Sequence, residues 1–545
     1  MLFAATVLLG LAAAPPQGPS VKELFDRQLS QLRETQQSDG SYGSRLDTAY
    51  MVVALTLCPR AYREDDGPFI SHAVRWLLQY KPAFEDPGGD AVTALALLCA
   101  DGERYRPTLT RLAEGAGLSV SVLQTLAAGG QAALPDGLST QVLRELPLPK
   151  AGQSAKAILE ALGPEAGIAV RLAAVATAGI AYRAQSKPSG EKIDGRQVYE
   201  RGIDYLLSQK GKSGLWEVYG KPEPGISALC ARALLGSQRQ AVQQQAIPVL
   251  DFLRGLQKDS GAIYDGHLPV YVTSVAVMAL AAGGREQDQE AIAKAAQYLA
   301  TVQTDEGEGY SEADKFYGGI GYGNDLRPDL SNLQYAMQAL KDAGREADDP
   351  AFQRALVFLQ RVQNRSESNP EVFQDADKER PVRAGNDGGA VYYPGNSPAG
   401  TILLADGSSV ARSYGSMTYA LLKCYVFAGL ERSDPRVQAA VDWIQRHWTL
   451  EVNPGFDTLR DPRAGFQGLY YYYLSLAEAL DAAGVERIQV PHGESHDWRL
   501  ELLAKLAAEQ QQDGSWVNQE ASRWWEGNPV LCTAYALAAL QVAGR

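Results

Sequence analysis

The sequence predicts an all-α protein built from repeated helix pairs, and three observations carry that expectation. Apolar residues first recur at helical spacing. In residues 291–303 they fall at Ile292, Ala295, Ala296, Leu299 and Val302, and in residues 331–343 at Leu333, Ala336, Met337 and Leu340. Second, similar endings recur at Ala282-Gly283-Gly284, Ala343-Gly344, Ala428-Gly429, Ala483-Gly484 and Ala543-Gly544. Glycine suits such a place because a helix often closes in the left-handed conformation. From Gly284 onward these endings lie 60, 85, 55 and 60 residues apart, so the long interval holds an insertion, placed at 364–409 where Gly, Pro, Ser and Asp abound. Third, Leu32-x3-Gln36-x3-Gly40-x-Tyr42 matches Leu506-x3-Gln510-x3-Gly514-x-Trp516 from the opposite end of the chain.

Further copies of the third pattern are Phe252-Leu253-x3-Gln257-x3-Gly261 and Tyr298-Leu299-x3-Gln303-x3-Gly307. A one-residue variant runs Tyr205-Leu206-x2-Gln209-x4-Gly214-x-Trp216. Physically it closes a helix. Glutamine can bond orphan backbone groups at the helix end, glycine permits a tight turn, and the aromatic packs that turn on a neighbour. The motif resembles the Gln-Trp repeat of squalene and oxidosqualene cyclases, whose fold protein prenyltransferase β-subunits share. That resemblance implies an (α/α)6 toroid of repeated helix pairs with an additional N-terminal helical region. Six pairs counted over the later part place the ring at residues 191–545, with the insertion 364–409 inside it and a helical repeat region at 19–190. The alternative is that the first pairs join the ring and later ones cap it. The second helix of each pair is the more apolar, so it is expected inside, with all inner helices starting at one rim.

Composition narrows the function classes. A net charge of −13 and a pI near 5.1 disfavour nucleic acid and anionic membrane surfaces as partners. Residues 1–14 are apolar or small and end in Ala12-Ala13-Ala14 before Pro15 and Pro16, which reads as a signal peptide within 1–18 and hence as export to the periplasm or outside the cell. No run is long enough for a membrane span. The five cysteines sit singly in apolar segments, as buried thiols do.

Catalytic signatures are sparse. The resembled cyclases begin their reaction with an Asp-x-Asp-Asp acid at the start of an inner helix, and the sequence lacks that motif. Asp325 and Asp329 lead into the helix near Ser331 and are the candidate carboxyl pair; helix capping is the competing role for Asp329. Only five histidines are present, and His492 and His496 have no third ligand nearby, so no metal and no cofactor is expected. Aromatic residues stand out instead: Tyr322, Tyr414, Tyr470, Tyr471, Trp524 and Trp525 are the candidate ligand-binding residues, because aromatic faces line apolar or cation-binding cavities as readily as they pack loops.

Residues 412–545, with Gly468-Leu-Tyr-Tyr-Tyr-Tyr473 and Arg523-Trp-Trp-Glu526, look like the exported prenyltransferase/squalene-oxidase-repeat proteins of bacteria. The expected function is an exported toroid whose central cavity binds an apolar small molecule or lipid, isoprenoid-like, without acid-initiated cyclase chemistry. The alternative is a terpenoid cyclase-like enzyme acting on a polyprenyl or triterpene substrate. The working rim is expected where the inner helices start, with an anionic or polar head group facing their N-termini. The opposite rim, made of short Gly-capped turns, is expected to leave little room for chemistry.

Overall fold

The computed structural model describes residue 19 and residues 21–79, 86–130, 134–135, 137–186, 193–323, 327–374, 380–458, 460–491 and 495–544. The expectations for the signal segment, Asp325 and His492 lie outside these residues. The described chain is helical, with a few short strands, and divides into two units. The first unit holds, among others, the helices Val21–Arg33, Arg45–Leu57 and Ile168–Ser186, and the last two pack face to face. Gly179 permits this approach, since a β-carbon there would lie 3.0 Å from Leu57 Cβ.

In the second unit, which includes residues 187–545, the described residues form twelve longer helices in six pairs, besides the five-residue helix Gln240–Gln244. They are α1 (Gly195–Ser208), α2 (Pro224–Gly236), α3 (Ile247–Gly255), α4 (Pro269–Gly283), α5 (Gln289–Thr301), α6 (Leu330–Asp342), α7 (Pro350–Val362), α8 (Gly415–Phe427), α9 (Pro435–Arg446), α10 (Leu469–Ala482), α11 (Trp498–Glu509) and α12 (Pro529–Ala543). Each even-numbered helix packs against the next even one, and α12 returns to α2, so six helices close an inner ring. The odd-numbered helices lie outside it. Burial follows this division: α12 is buried at every position from Leu531 to Leu540, whereas α9 buries only Val437, Ala440, Trp443 and Ile444, a single stripe. The core therefore sits between the two layers.

The Gln/Gly/aromatic motif is the joint between successive pairs. Gln257, Gln303, Gln363 and Gln510 end their outer helices alike, each Nε2 donating to two carbonyls. One belongs to a glycine of the following turn and one to the start of the next outer helix: Gly261 and Ala291, Gly318 and Ala351, Gly388 and Arg436, Gly514 and Val198. All four glycines have φ between +79° and +92°, and a β-carbon on each would fall 2.0–2.4 Å from a carbonyl oxygen of the neighbouring outer helix. Only glycine meets both demands. Gln303 was expected to work with Gly307, but Gly318 takes that role: residues 305–317 bulge out between glutamine and glycine, and spatial closeness does not require constant spacing. The helix-closing glycines Gly284, Gly344, Gly429 and Gly484 are left-handed as expected, whereas Gly544 has φ −86°.

The insertion between α7 and α8 folds into a small sheet of β1 (Val372–Gln374), β2 (Pro381–Arg383), β3 (Thr401–Leu403) and β4 (Ser409–Ala411), in the order β1-β2-β4-β3. The β2–β4 pair is parallel and the others antiparallel. Val391 N–H donates to Val362 O, and Tyr392 O accepts from Leu330 N–H at the start of α6, tying the insertion to the rim. All five cysteines are buried and unbridged.

Candidate functional site

A cavity of about 370 Å³ opens where the inner helices begin. Four tyrosines from four inner helices build its wall: Tyr271 of α4, Tyr335 of α6, Tyr471 of α10 and Tyr535 of α12. Tyr271 meets Tyr335 edge-on at 5.3 Å between ring centres, and Tyr471 lies 6.0 Å from Tyr335 and 6.1 Å from Tyr535. The Tyr471 hydroxyl is 3.0 Å from Ser331 Oγ and accepts from Gln334 Nε2 at 3.0 Å. Tyr322, Tyr392 and Tyr414 join from the loops and the insertion. Trp524 and Trp525, 43% and 55% exposed, also line it. Both hold left-handed backbone (φ 56° and 69°), as does the lining residue Leu268 (φ 53°). Bulky residues avoid that region, and such strain gathers at ligand sites.

Two carboxyls line the same space. Glu223 caps its own helix, accepting from Ile226 N–H at the start of α2, and burial raises it above the usual carboxylate range. Glu526, 1% exposed, follows the tryptophan pair and reaches across to a different helix. One oxygen accepts from Tyr471 N–H at 2.8 Å and the other from Asn518 Nδ2 at 2.7 Å, while Leu469 and Tyr470 N–H also donate to the carboxyl. Burial outweighs these bonds and pushes it up to about 7.

Of the sequence candidates, Tyr322, Tyr414, Tyr471, Trp524 and Trp525 all line this cavity. Tyr470 does not. Successive helix residues point about 100° apart, so a run of four tyrosines cannot share one face. Tyr470 packs edge-on against Tyr473, and the hydroxyls of Tyr472 and Tyr473 donate to Thr449 O and Leu450 O at 2.6 Å. Asp325 lies outside the described residues. Asp329 is fully buried and is the N-cap of α6: one oxygen accepts from Asn332 N–H at 2.9 Å and the other from Asn332 Nδ2 at 2.8 Å. Burial raises it to about 6 against these bonds.

Asp329-Leu330-Ser331-Asn332 thus stands at an inner-helix start with a single carboxyl, followed by a hydroxyl and an amide, in keeping with the reading that the sequence lacks an Asp-x-Asp-Asp motif. Ser331 and Asn332 both line the cavity. Sequence reasoning missed these two, together with Glu223, Glu526 and the deeper tyrosines. The available signal was a tyrosine within the first two turns of four inner helices.

The opposite rim differs from expectation. There a cavity of about 460 Å³ is lined by Arg232, Gln338, Asp342, Glu478, Asp481 and Gln541 among others. The turns are short, but the space lies on the ring side of the helix ends, where long polar side chains meet. Behind it Lys423, 1% exposed, donates to Glu478 at 2.7 Å. Among the described residues, no cluster of three or more His, Cys, Asp or Glu side chains could hold a metal, and no helix is long and apolar enough to cross a membrane.

Residues 221–375, from the start of α2 into the insertion, match the family model of the squalene-hopene cyclase C-terminal domain. That match covers little more than a quarter of the chain and shows a likeness to this domain over that stretch. Among solved structures, the chain is similar to the apo type II terpene cyclase MstE from Scytonema, with 14% identity over 65% of this chain and 99% of that one, at a TM-score of 0.40. An MstE variant in complex with geranylgeranyl dihydroxybenzoate aligns over 64% of this chain and 97% of that one, with 14% identity and a TM-score of 0.38. The ent-copalyl diphosphate synthase from Streptomyces platensis aligns over 62% and 87%, with 15% identity and a TM-score of 0.22. No curated protein matches the sequence.

Proposed function

We propose that the toroid holds an apolar, isoprenoid-like ligand in its aromatic cavity and does so without acid-initiated cyclisation. The observation that carries this reading is the cavity itself, walled by seven tyrosines and two tryptophans, with Ser331 and Asn332 following the single carboxyl of Asp329. Its volume is in the range of ordinary small-molecule sites. Native mass spectrometry of protein purified from its own host is expected to show a co-purifying lipid. Tyr471→Ala removes a ring touching two others and a hydroxyl shared by Ser331 and Gln334, so ligand affinity should fall about ten-fold or more, as for an aromatic anchor. A folded variant binding like wild type would place the ligand elsewhere.

A second reading, a cyclase acting on a polyprenyl or triterpene substrate, is favoured by one observation. Glu526 supplies a carboxyl beside the cavity that is partly protonated near neutral pH. Incubation with squalene separates the two. No hopene-type product above a no-protein control is expected, and product that disappears in Glu526→Gln would establish the enzyme. Export is proposed on the apolar segment 1–14, and fusing residues 1–30 to alkaline phosphatase, which is active only outside the cytoplasm, tests it.

A further inference from the structure

We infer that the cavity is selective for a lipophilic amine, an ammonium head on an apolar tail, over neutral and anionic molecules of the same length. This rests on reading the cavity as a ligand site. The sequence led to the opposite head group, because helix N-termini attract anions through their unpaired N–H groups. Here those groups are already taken. The first turns of α2 and α6 are capped by Glu223 and Asp329, and that of α10 is held by Glu526. Asn453 Oδ1 accepts from Ser416 N–H in α8, and Asn528 Oδ1 from Val530 N–H in α12. The caps of α4, α8 and α10 make no side-chain bond of their own; α8 and α10 are served by Asn453 and Glu526 from other segments, and in α4 the Val270 N–H donates to Tyr322 O. Three of these five side chains are carboxyls, so the rim that would attract an anion presents negative charge instead.

The lining sharpens the argument. It contains Glu223 and Glu526 and, among the described residues, no lysine, arginine or histidine. Two guanidinium groups carried on the loops that supply lining residues are already engaged. Arg523 stacks 4.7 Å above Trp524 and donates to Gln467 Oε1 at 2.7 Å, and Arg327 stacks 4.9 Å above Tyr393. Desolvated carboxyls without a cation at hand are an unfavourable arrangement, and an ammonium entering the cavity supplies the missing countercharge. The tyrosine and tryptophan faces attract the same charge through their ring quadrupoles.

The test titrates the full chain at pH 8 with decylammonium, decanol and decyl phosphate, followed by calorimetry and tryptophan fluorescence. Decylammonium is expected to bind about ten-fold tighter than decanol, the factor that roughly one charge-assisted contact supplies. Decyl phosphate should bind weakest. Glu223→Gln and Glu526→Gln should each reduce the ammonium preference and leave decanol binding within about two-fold, since an amide keeps the shape and loses the charge. Because Glu526 also braces α10, Glu223→Gln carries the test if Glu526→Gln fails to fold. Equal affinity for ammonium and alcohol would overturn the charge selectivity and leave the cavity reading standing. Phosphate binding tightest would overturn it in favour of an anionic head group. Binding of none of the three would remove the ligand-site reading itself.

Discussion

Trp516→Ala is expected to destabilise the toroid by about 3–5 kcal/mol, the cost of deleting a fully buried indole. Trp516 is wholly buried, its Nε1 donates to Leu506 O at 2.8 Å, and its backbone N–H donates to Thr533 Oγ1 at 3.0 Å. The substitution therefore leaves a cavity and a helix-end carbonyl without its donor. Its position enlarges the effect, because this turn joins the last pair to the first. Gln510 bonds Val198 O, and Gly514 lies against Arg201 O, where a β-carbon would be 2.4 Å away. Gly202 leaves room for the indole, since a β-carbon there would meet Trp516 at 2.8 Å. Gly514→Ala should cost about 2–3 kcal/mol by overpacking and left-handed strain, and Gln510→Ala about 1–2 kcal/mol through lost hydrogen bonds. Urea unfolding of the three variants measures the order. If Trp516→Ala melts like wild type, the joint does not hold the ring closed.

That joint was the most legible part of the molecule, because a close backbone approach forces the same residue types wherever it recurs. Its limits are equally physical. Gly318 and Gly388 perform the task of Gly514, yet loops between glutamine and glycine hide them, since the hydrogen bond fixes position in space and leaves spacing along the chain free. The cavity was half legible. Tyr322, Tyr414, Tyr471 and the tryptophan pair were accessible from aromatic richness beside helix starts, but Tyr470 was misplaced because a run of like residues conceals helical rotation. Glu223 and Glu526 were not legible. One resembles any helix cap, and the other serves a helix that begins 57 residues earlier in the chain, at Leu469.

Glu526→Gln is expected to change how stability depends on pH. Burial raises the Glu526 carboxyl from an ordinary 4.5 to about 7, so the folded protein binds its proton more tightly than the unfolded chain. A group raised in this way contributes stability that is fully present below pH 4.5 and is lost as pH rises through about 7. The interval corresponds to about 3 kcal/mol. Asp329, raised to about 6, adds a decline of the same sign at slightly lower pH. The groups nearest Glu526 that titrate are Tyr470, Tyr471 and Cys532, and burial raises all three, so they stay neutral between pH 5 and 8. Groups remote from position 526 are the same in both proteins and cancel in the difference. At pH 5 the glutamine variant should be equal to wild type or slightly less stable, because its amide nitrogen repels one of the N–H donors. At pH 8 it should be the more stable protein, the gap having moved in its favour by about 2–3 kcal/mol. Denaturant unfolding of both proteins at pH 5, 6.5 and 8 measures this, and a difference that stays constant with pH would mean that Glu526 is ionised at an ordinary value in its buried place.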